Sequence, residues 1–207
     1  MTRCRTEIFR KGNDRQCCII ALDFIENQSL DANVKKQDKS NSAVENPQSF
    51  RRNMYRLKII TVGKIKKNYY LEAIAHYAKM LKPVLRIDVH NVKDCPQAEG
   101  AERKRLESLR ILEKIGPKDT LVALHETGKL FTSPDFASFL RPLLENPAGE
   151  CCFVIGGALG LSPELLSRSQ VQLSLSTLTM PHELAQVVLY EQLFRATTIM
   201  QNRTYHY

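Results

Sequence analysis

From Arg56 onward, apolar and polar positions alternate between a strand-like and a helix-like period. RLKIITVG (Arg56–Gly63) is a short apolar run closed by glycine, which predicts a strand. YYLEAIAHYAKMLK (Tyr69–Lys82) has helical spacing and stops before Pro83. VLRIDVHNV (Val84–Val92) alternates as a strand. AERKRLESLRILEKI (Ala101–Ile115) repeats Leu106, Leu109 and Leu112 at helical intervals and ends at Gly116-Pro117. TLVALHE (Thr120–Glu126) predicts an apolar strand. SPDFASFLRPLLEN (Ser133–Asn146) predicts a helix with serine as N-cap and proline at the first position. CCFVIGG (Cys151–Gly157) is a buried strand running into glycines, and SPELLSRS (Ser162–Ser169) repeats the same cap. VQLSLS (Val171–Ser176) is a short strand, and PHELAQVVLYEQLFRATTIMQN (Pro181–Asn202) is the longest helix.

Five successive strand–helix pairs predict an α/β fold, a parallel sheet with helices on both faces. Ligands in such folds sit outside the carboxyl ends of the strands. That rule selects three loops: Leu124–Gly128, Gly156–Leu161 and Leu175–His182.

Residues 1–53 follow no such pattern. Between Glu26 and Asn53 only 6 of 28 residues are hydrophobic, too few to offset the entropy of ordering the chain. The apolar run Cys17–Ile25 is short, interrupted by Asp23, and lacks a nearby small-residue cleavage site, which argues against a signal peptide. The expectation is a disordered extension over 1–53 and one domain over 54–207, with Met54 as a candidate start.

The 207 residues carry a net charge of +8, which fits an acidic partner such as nucleic acid without requiring one. The charge divides between the extension, with 10 basic and 7 acidic residues, and the domain, with 20 and 15. No apolar run approaches the roughly 20 residues of a membrane span. The six cysteines (Cys4, Cys17, Cys18, Cys95, Cys151, Cys152) include two vicinal pairs and no C-x-x-C. Vicinal cysteines bridge each other only with strain, so the pattern predicts reduced thiols, no metal and a cytoplasmic location.

FVIGGALGLSPE (Phe153–Glu164) brings three glycines to a strand end, where backbone can approach a ligand closely, although tight turns use glycine too. It matches neither a P-loop nor a dinucleotide fingerprint. SLSTLTMPHE (Ser174–Glu183) alternates hydroxyl and apolar residues, suited to gripping a polar ligand while packing a flat ring; it also reads as a capping region with His182 at a helix start. The last helix is apolar on most sides, at Leu184, Val187, Val188, Leu189, Leu193, Phe194, Ile199 and Met200, so its second face predicts a subunit interface. Glu191 and Arg195 stand at i,i+4, where they can pair. The tail Asn202–Tyr207 mixes Arg, His and aromatics, suited to RNA contact or to fraying.

Several of these motifs, in order, resemble the ribosomal RNA large subunit methyltransferase H family of SPOUT methyltransferases. They are IGGALGLSPE (Ile155–Glu164), LSLSTLTMPH (Leu173–His182), EQLFRA (Glu191–Ala196) and the closing Tyr205-His206. The opening Met54–Leu81 is similar to that family's N-terminus, so the resemblance spans Met54 to Tyr207. It implies a parallel sheet with a C-terminal trefoil knot, a homodimer, and S-adenosylmethionine bound by the knot loops. It also implies methylation of N3 of pseudouridine 1915 in 23S rRNA on assembled ribosomes. Carried over by motif, the cofactor contacts fall on Leu124, Gly156, Leu175, Ser176, Thr177, Leu178, Thr179 and Met180. Tyr205 and His206 become candidates for substrate handling, with His206 as general base, or Arg195 or Arg203 as the cation that favours the uracil anion.

Three positions depart from the family pattern. Gln186 stands where arginine is frequent, the chain ends in Tyr207 rather than a basic residue, and the helix lacks at Glu107-Ser108 a glycine often found there. None removes a cofactor contact; the first two bear on the RNA side. Two other readings stay open: a non-catalytic RNA-binding module on the same fold, which would not bind S-adenosylmethionine, and a flavodoxin-like nucleotide binder, which leaves the LSTLTMPH and Tyr205-His206 pieces unexplained.

Overall fold

The computed structural model describes residues 54–203; the extension expected over 1–53 and the candidates Tyr205 and His206 lie outside the described residues. Ten elements alternate as the periodicity predicts. They are β1 (Tyr55–Val62), α1 (Asn68–Leu81), β2 (Leu85–Val92), α2 (Gly100–Leu112), β3 (Thr120–Lys129), α3 (Ser133–Glu145), β4 (Cys151–Ile155), α4 (Pro163–Arg168), β5 (Val171–Leu173) and α5 (His182–Met200). The strands form one sheet in the order β2-β1-β4-β3-β5, and every pairing is parallel.

The pleat assigns each strand residue to a face. Leu57, Ile59, Phe153 and Ile155 point into a core shared with Leu81 of α1, Phe136 and Leu140 of α3, and Leu189 and Leu193 of α5. Ile60, Val62, Cys152 and Val154 point the other way, against Ile111 of α2 and Leu165 of α4. Three helices thus cover one face and two the other. Vicinal Cys151 and Cys152 fall on opposite faces, both fully buried and without a disulfide, as small apolar residues do.

Several boundaries differ from the pattern, and three show their cause or consequence directly. The cap of α3 is Thr132 rather than Ser133: its hydroxyl oxygen accepts from the Asp135 N–H at 3.3 Å and donates to the Asp135 carboxylate at 2.6 Å. β5 stops at Leu173 rather than Ser176, because the serines bond locally instead of to a ladder. Ser174 Oγ donates to the Ser176 carbonyl at 2.8 Å, and Ser176 Oγ accepts from the Leu178 N–H at 3.0 Å. β3 runs beyond Glu126 to Lys129; its pairing with β5 jumps from Leu124 to Lys129, both opposite Leu173. Residues 125–128 bulge out between these two contacts.

The end of the sheet opposite the predicted loops is tied by charge. Lys58 of β1 bridges Asp119 and Glu150, each at 2.9 Å, just before β3 and β4 begin. Asp119 also accepts from the N–H groups of Gly116 (2.9 Å) and Glu150 (3.0 Å). Burial alone would raise the Asp119 pKa, but those N–H groups and the Lys58 ammonium outweigh it and hold the carboxyl at about 2. A depressed carboxylate stabilises the fold above its unfolded pKa of about 3.9, and that contribution disappears as pH falls through about 2. Urea unfolding between pH 6 and pH 2 should therefore show a loss of about 2 kcal/mol from this group that Asp119→Asn abolishes. Equal pH slopes for the two proteins would contradict the assignment.

Among the described residues no helix is long and apolar enough to cross a membrane.

Candidate functional site

A cavity of about 370 Å³ opens at the carboxyl ends of β3, β4 and β5, within the ~300–1,000 Å³ range of small-molecule sites. Its floor is the turn after β4. Gly160 holds φ at +80°, and its N–H donates to the Gly157 carbonyl at 3.0 Å. A Cβ on Gly156 would stand 2.7 Å from the Gly160 carbonyl carbon. Only glycine lets the turn double back this closely.

One wall is the loop after β5. Of the N–H groups from Leu175 to Met180, only that of Leu178 meets an acceptor among the described residues. The open backbone groups alternate with the apolar side chains of Leu175, Leu178 and Met180, and Leu124 adds to the apolar lining from β3. Such a wall grips polar edges and packs a flat ring. The N-terminus of α5, with His182 and Ala185, closes one side, and His125, Glu126 and Lys104 bring polar groups to the cavity.

The structure brings together seven of the eight cofactor candidates: Leu124, Gly156, Leu175, Ser176, Leu178, Thr179 and Met180 all line the cavity. Thr177 belongs to the same loop without lining the wall. Arg195 is not in the wall; it lies 13 residues beyond His182 on α5, some ~20 Å along the axis at about 1.5 Å per residue. Its Nε donates to Glu191 Oε1 at 3.0 Å, the pairing that the i,i+4 spacing allows. Gln186, one of the departures, is buried at 4% exposure and so lies inside the domain.

Several contributors escape the strand-end rule. Behind the glycine turn, α2 presents two buried polar residues, Glu107 and Ser108. Ser108 Oγ accepts from the Ser162 N–H at 3.0 Å, a contact no glycine provides, so this departure braces the loop leading into α4. Ser162 in turn caps α4 as predicted, accepting from the Leu165 N–H at 3.3 Å. Glu107 Oε1 accepts from Arg103 Nε at 2.8 Å and from the Cys95 N–H at 3.1 Å. Glu107 Oε2 lies 2.8 Å from where a Gly157 Cβ would be. A polar pair on the inward side of an otherwise amphipathic helix was the available signal. Within the selected loop Leu124–Gly128, His125 Nδ1 lies 2.9 Å from Thr127 Oγ1; what the periodicity did not show is that the loop bulges out of a continuing strand.

A parallel α/β sheet with a glycine-floored, apolar-walled cavity at its strand ends defines an α/β domain with a candidate small-molecule site. Residues 55–206 match a family model described as "Predicted SPOUT methyltransferase". The chain is 40% identical over 155 residues to the ribosomal RNA large subunit methyltransferase H of Oleidesulfovibrio alaskensis, covering 74% of this chain and 100% of that protein. It is 41% identical over 155 residues to that of Nitratidesulfovibrio vulgaris, with the same coverage, and 38% identical over 159 residues to that of Oenococcus oeni, covering 74% and 99%. Among solved structures, a probable methylase family protein from Haemophilus influenzae Rd KW20 is similar with a TM-score of 0.44 and 12% identity, covering 73% of this chain and 70% of that one. The chain belongs to the SPOUT methyltransferase family, in the group of the ribosomal RNA large subunit methyltransferases H.

Proposed function

We propose that this chain transfers a methyl group from S-adenosylmethionine to N3 of a pseudouridine of 23S rRNA on assembled ribosomes, acting in the cytoplasm as a homodimer. The observation that carries the reading is the cavity wall itself. Three loops remote in sequence put open backbone N–H groups, apolar side chains and a turn with no room for a Cβ around one space. Those features fit the cofactor: apolar side chains for the adenine ring, backbone groups for its edge and for the ribose and amino-acid ends. The similarity to proteins named for a ribosomal RNA substrate supports the RNA half.

S-adenosylmethionine supplies an electrophilic methyl. The chain's residues hold donor and acceptor in line and keep water away, which converts an encounter into an oriented reaction. Loss of the uracil N3 proton makes that nitrogen nucleophilic, a step assigned to His206 as base, with Tyr205 positioning the ring and Arg195 or Arg203 favouring the anion. Because Arg195 stands away from its own chain's cavity, its proposed role is toward the cavity of a second copy. The half-buried apolar side chains of Leu184, Val187, Val188 and Ile199 on α5 support such a pairing. The family's trefoil knot is part of the proposal. It is supported by the match of residues 55–206 to the SPOUT methyltransferase family model.

Incubation with methyl-labelled cofactor and ribosomes lacking the modification should place the label in large-subunit RNA. Label absent from that RNA would overturn the reading, and calorimetry showing no cofactor binding would favour the non-catalytic RNA-binding module instead. In the same assay His206→Ala should lower turnover with little change in cofactor affinity; unchanged turnover would remove His206 from the chemistry.

A further inference from the structure

The loop joining β1 to α1 reads Gly63-Lys64-Ile65-Lys66-Lys67-Asn68, three lysines in four positions. All three are exposed, and none has an ion-pair partner among the described residues. The loop leaves the carboxyl end of β1, the edge of the sheet that also carries the cavity. It is tied there, because the Lys66 N–H donates to Glu183 Oε1 at 2.8 Å and Glu183 adjoins His182 in the cavity wall. Tyr69, 60% exposed, follows directly, with its ring centroid 4.4 Å from that of Tyr70.

Helix formation does not explain these residues. Lys67 occupies the N-cap of α1 with no side-chain cap, and the first turn holds no acidic residue. Cations at a helix N-terminus oppose the macrodipole, and Lys is not a capping residue. The arrangement works against the helix that follows it and favours a polyanion laid across it. Among the described residues, Glu183 is the carboxylate that bonds to the loop, against three ammonium groups. Cations flanked by an exposed ring are the pattern that grips a single-stranded phosphate backbone and stacks a base.

We propose that Lys64, Lys66 and Lys67, with Tyr69, form the surface that holds the RNA substrate beside the cavity mouth. The lysines contact phosphates and Tyr69 stacks on an unpaired base. The proposal rests on the RNA-methyltransferase reading and adds where the RNA lies. It assigns this loop to substrate capture and the cavity to the cofactor, so the two bindings separate by mutation.

The test compares the full chain with Lys64→Ala/Lys66→Ala/Lys67→Ala and, separately, Tyr69→Ala. Binding to ribosomes lacking the modification is titrated at several salt concentrations. Cofactor affinity is measured by calorimetry and oligomeric state by sedimentation, and wild-type methyl transfer to ribosomes runs in parallel. The triple variant should bind RNA at least tenfold more weakly. Its slope of log affinity against log salt should be shallower by about 2, at about 0.7 for each phosphate no longer neutralised. Tyr69→Ala should lose about fivefold or more. Cofactor affinity and sedimentation should stay unchanged. Wild-type transfer together with equal RNA affinity and salt slope in the triple variant would overturn this surface and leave the enzymatic reading standing. A sedimentation change would overturn it in favour of a contact between copies of the chain. Wild type that neither binds nor methylates RNA would overturn both.

Discussion

Gly156→Ala should weaken S-adenosylmethionine binding at least tenfold, about 1.4 kcal/mol, while leaving the protein folded. The added methyl would lie 2.7 Å from the carbonyl carbon and 3.0 Å from the Cα of Gly160. Both are backbone atoms, so no side-chain rotation relieves the contact and the turn itself has to open. Gly160, at φ +80°, and its N–H bond to the Gly157 carbonyl would shift with it. That turn is the cavity floor, so the displacement falls directly on the ligand. The sheet ends at Ile155, one residue earlier, and global stability should drop far less than binding. Calorimetric titration of cofactor, paired with thermal unfolding, separates the two. Wild-type affinity in the variant would show that the turn does not form part of the cofactor site.

Phe153→Ala should cost about 3–5 kcal/mol of folding stability, the range for truncating a buried aromatic. Phe153 is fully buried at the middle of β4, the strand between β1 and β3 at the centre of the sheet. It faces the side covered by α3 and α5 and meets Phe136 of α3 edge-on at 6.3 Å between centroids. Its neighbours are held by sheet pairing on both flanks, so they cannot collapse into the space. Domains of this size are stable by about 5–15 kcal/mol, so the variant would lose a large share of its margin. Urea unfolding measures this, with Leu178→Ala, at a side chain 76% exposed, expected within about 0.5 kcal/mol of wild type. A loss at Phe153 below about 1 kcal/mol would contradict its place in the core.

The elements were legible because they are local. A run such as Cys151–Ile155 has no polar position to expose, and the 3.6-residue repeat of α1 needs nothing beyond its own residues to be seen. Two of the boundaries that slipped are where side chains compete with the backbone. Thr132 and Ser133 are both competent caps, and only the position of Asp135 selects the first. Ser174 and Ser176 look like strand residues until their hydroxyls are seen closing the loop.

The candidate site divides in the same way. Its glycine turn and its serine–threonine loop stood out because composition marks them and strand ends locate them. Glu107, Ser108 and Lys104 did not, since a helix that faces solvent on one side gives no sign of which distant loop lies under the other. The loop Leu124–Gly128 was selected by its place after β3, but its bulge was not, because it arises where β3 meets β5, and that pairing is not written in either segment alone.

By itself, then, the sequence determined the order of five strands and five helices, the parallel sense of the sheet, and the three strand-end loops to search. These follow from short-range periodicity and from the rule that parallel strands need crossovers. Only the tertiary structure decided that β4 lies between β1 and β3, that β5 forms the edge, and that the three loops enclose one cavity. Strand neighbours are chosen by long-range packing, for which many orders bury similar area, and a cavity exists only once those neighbours are set.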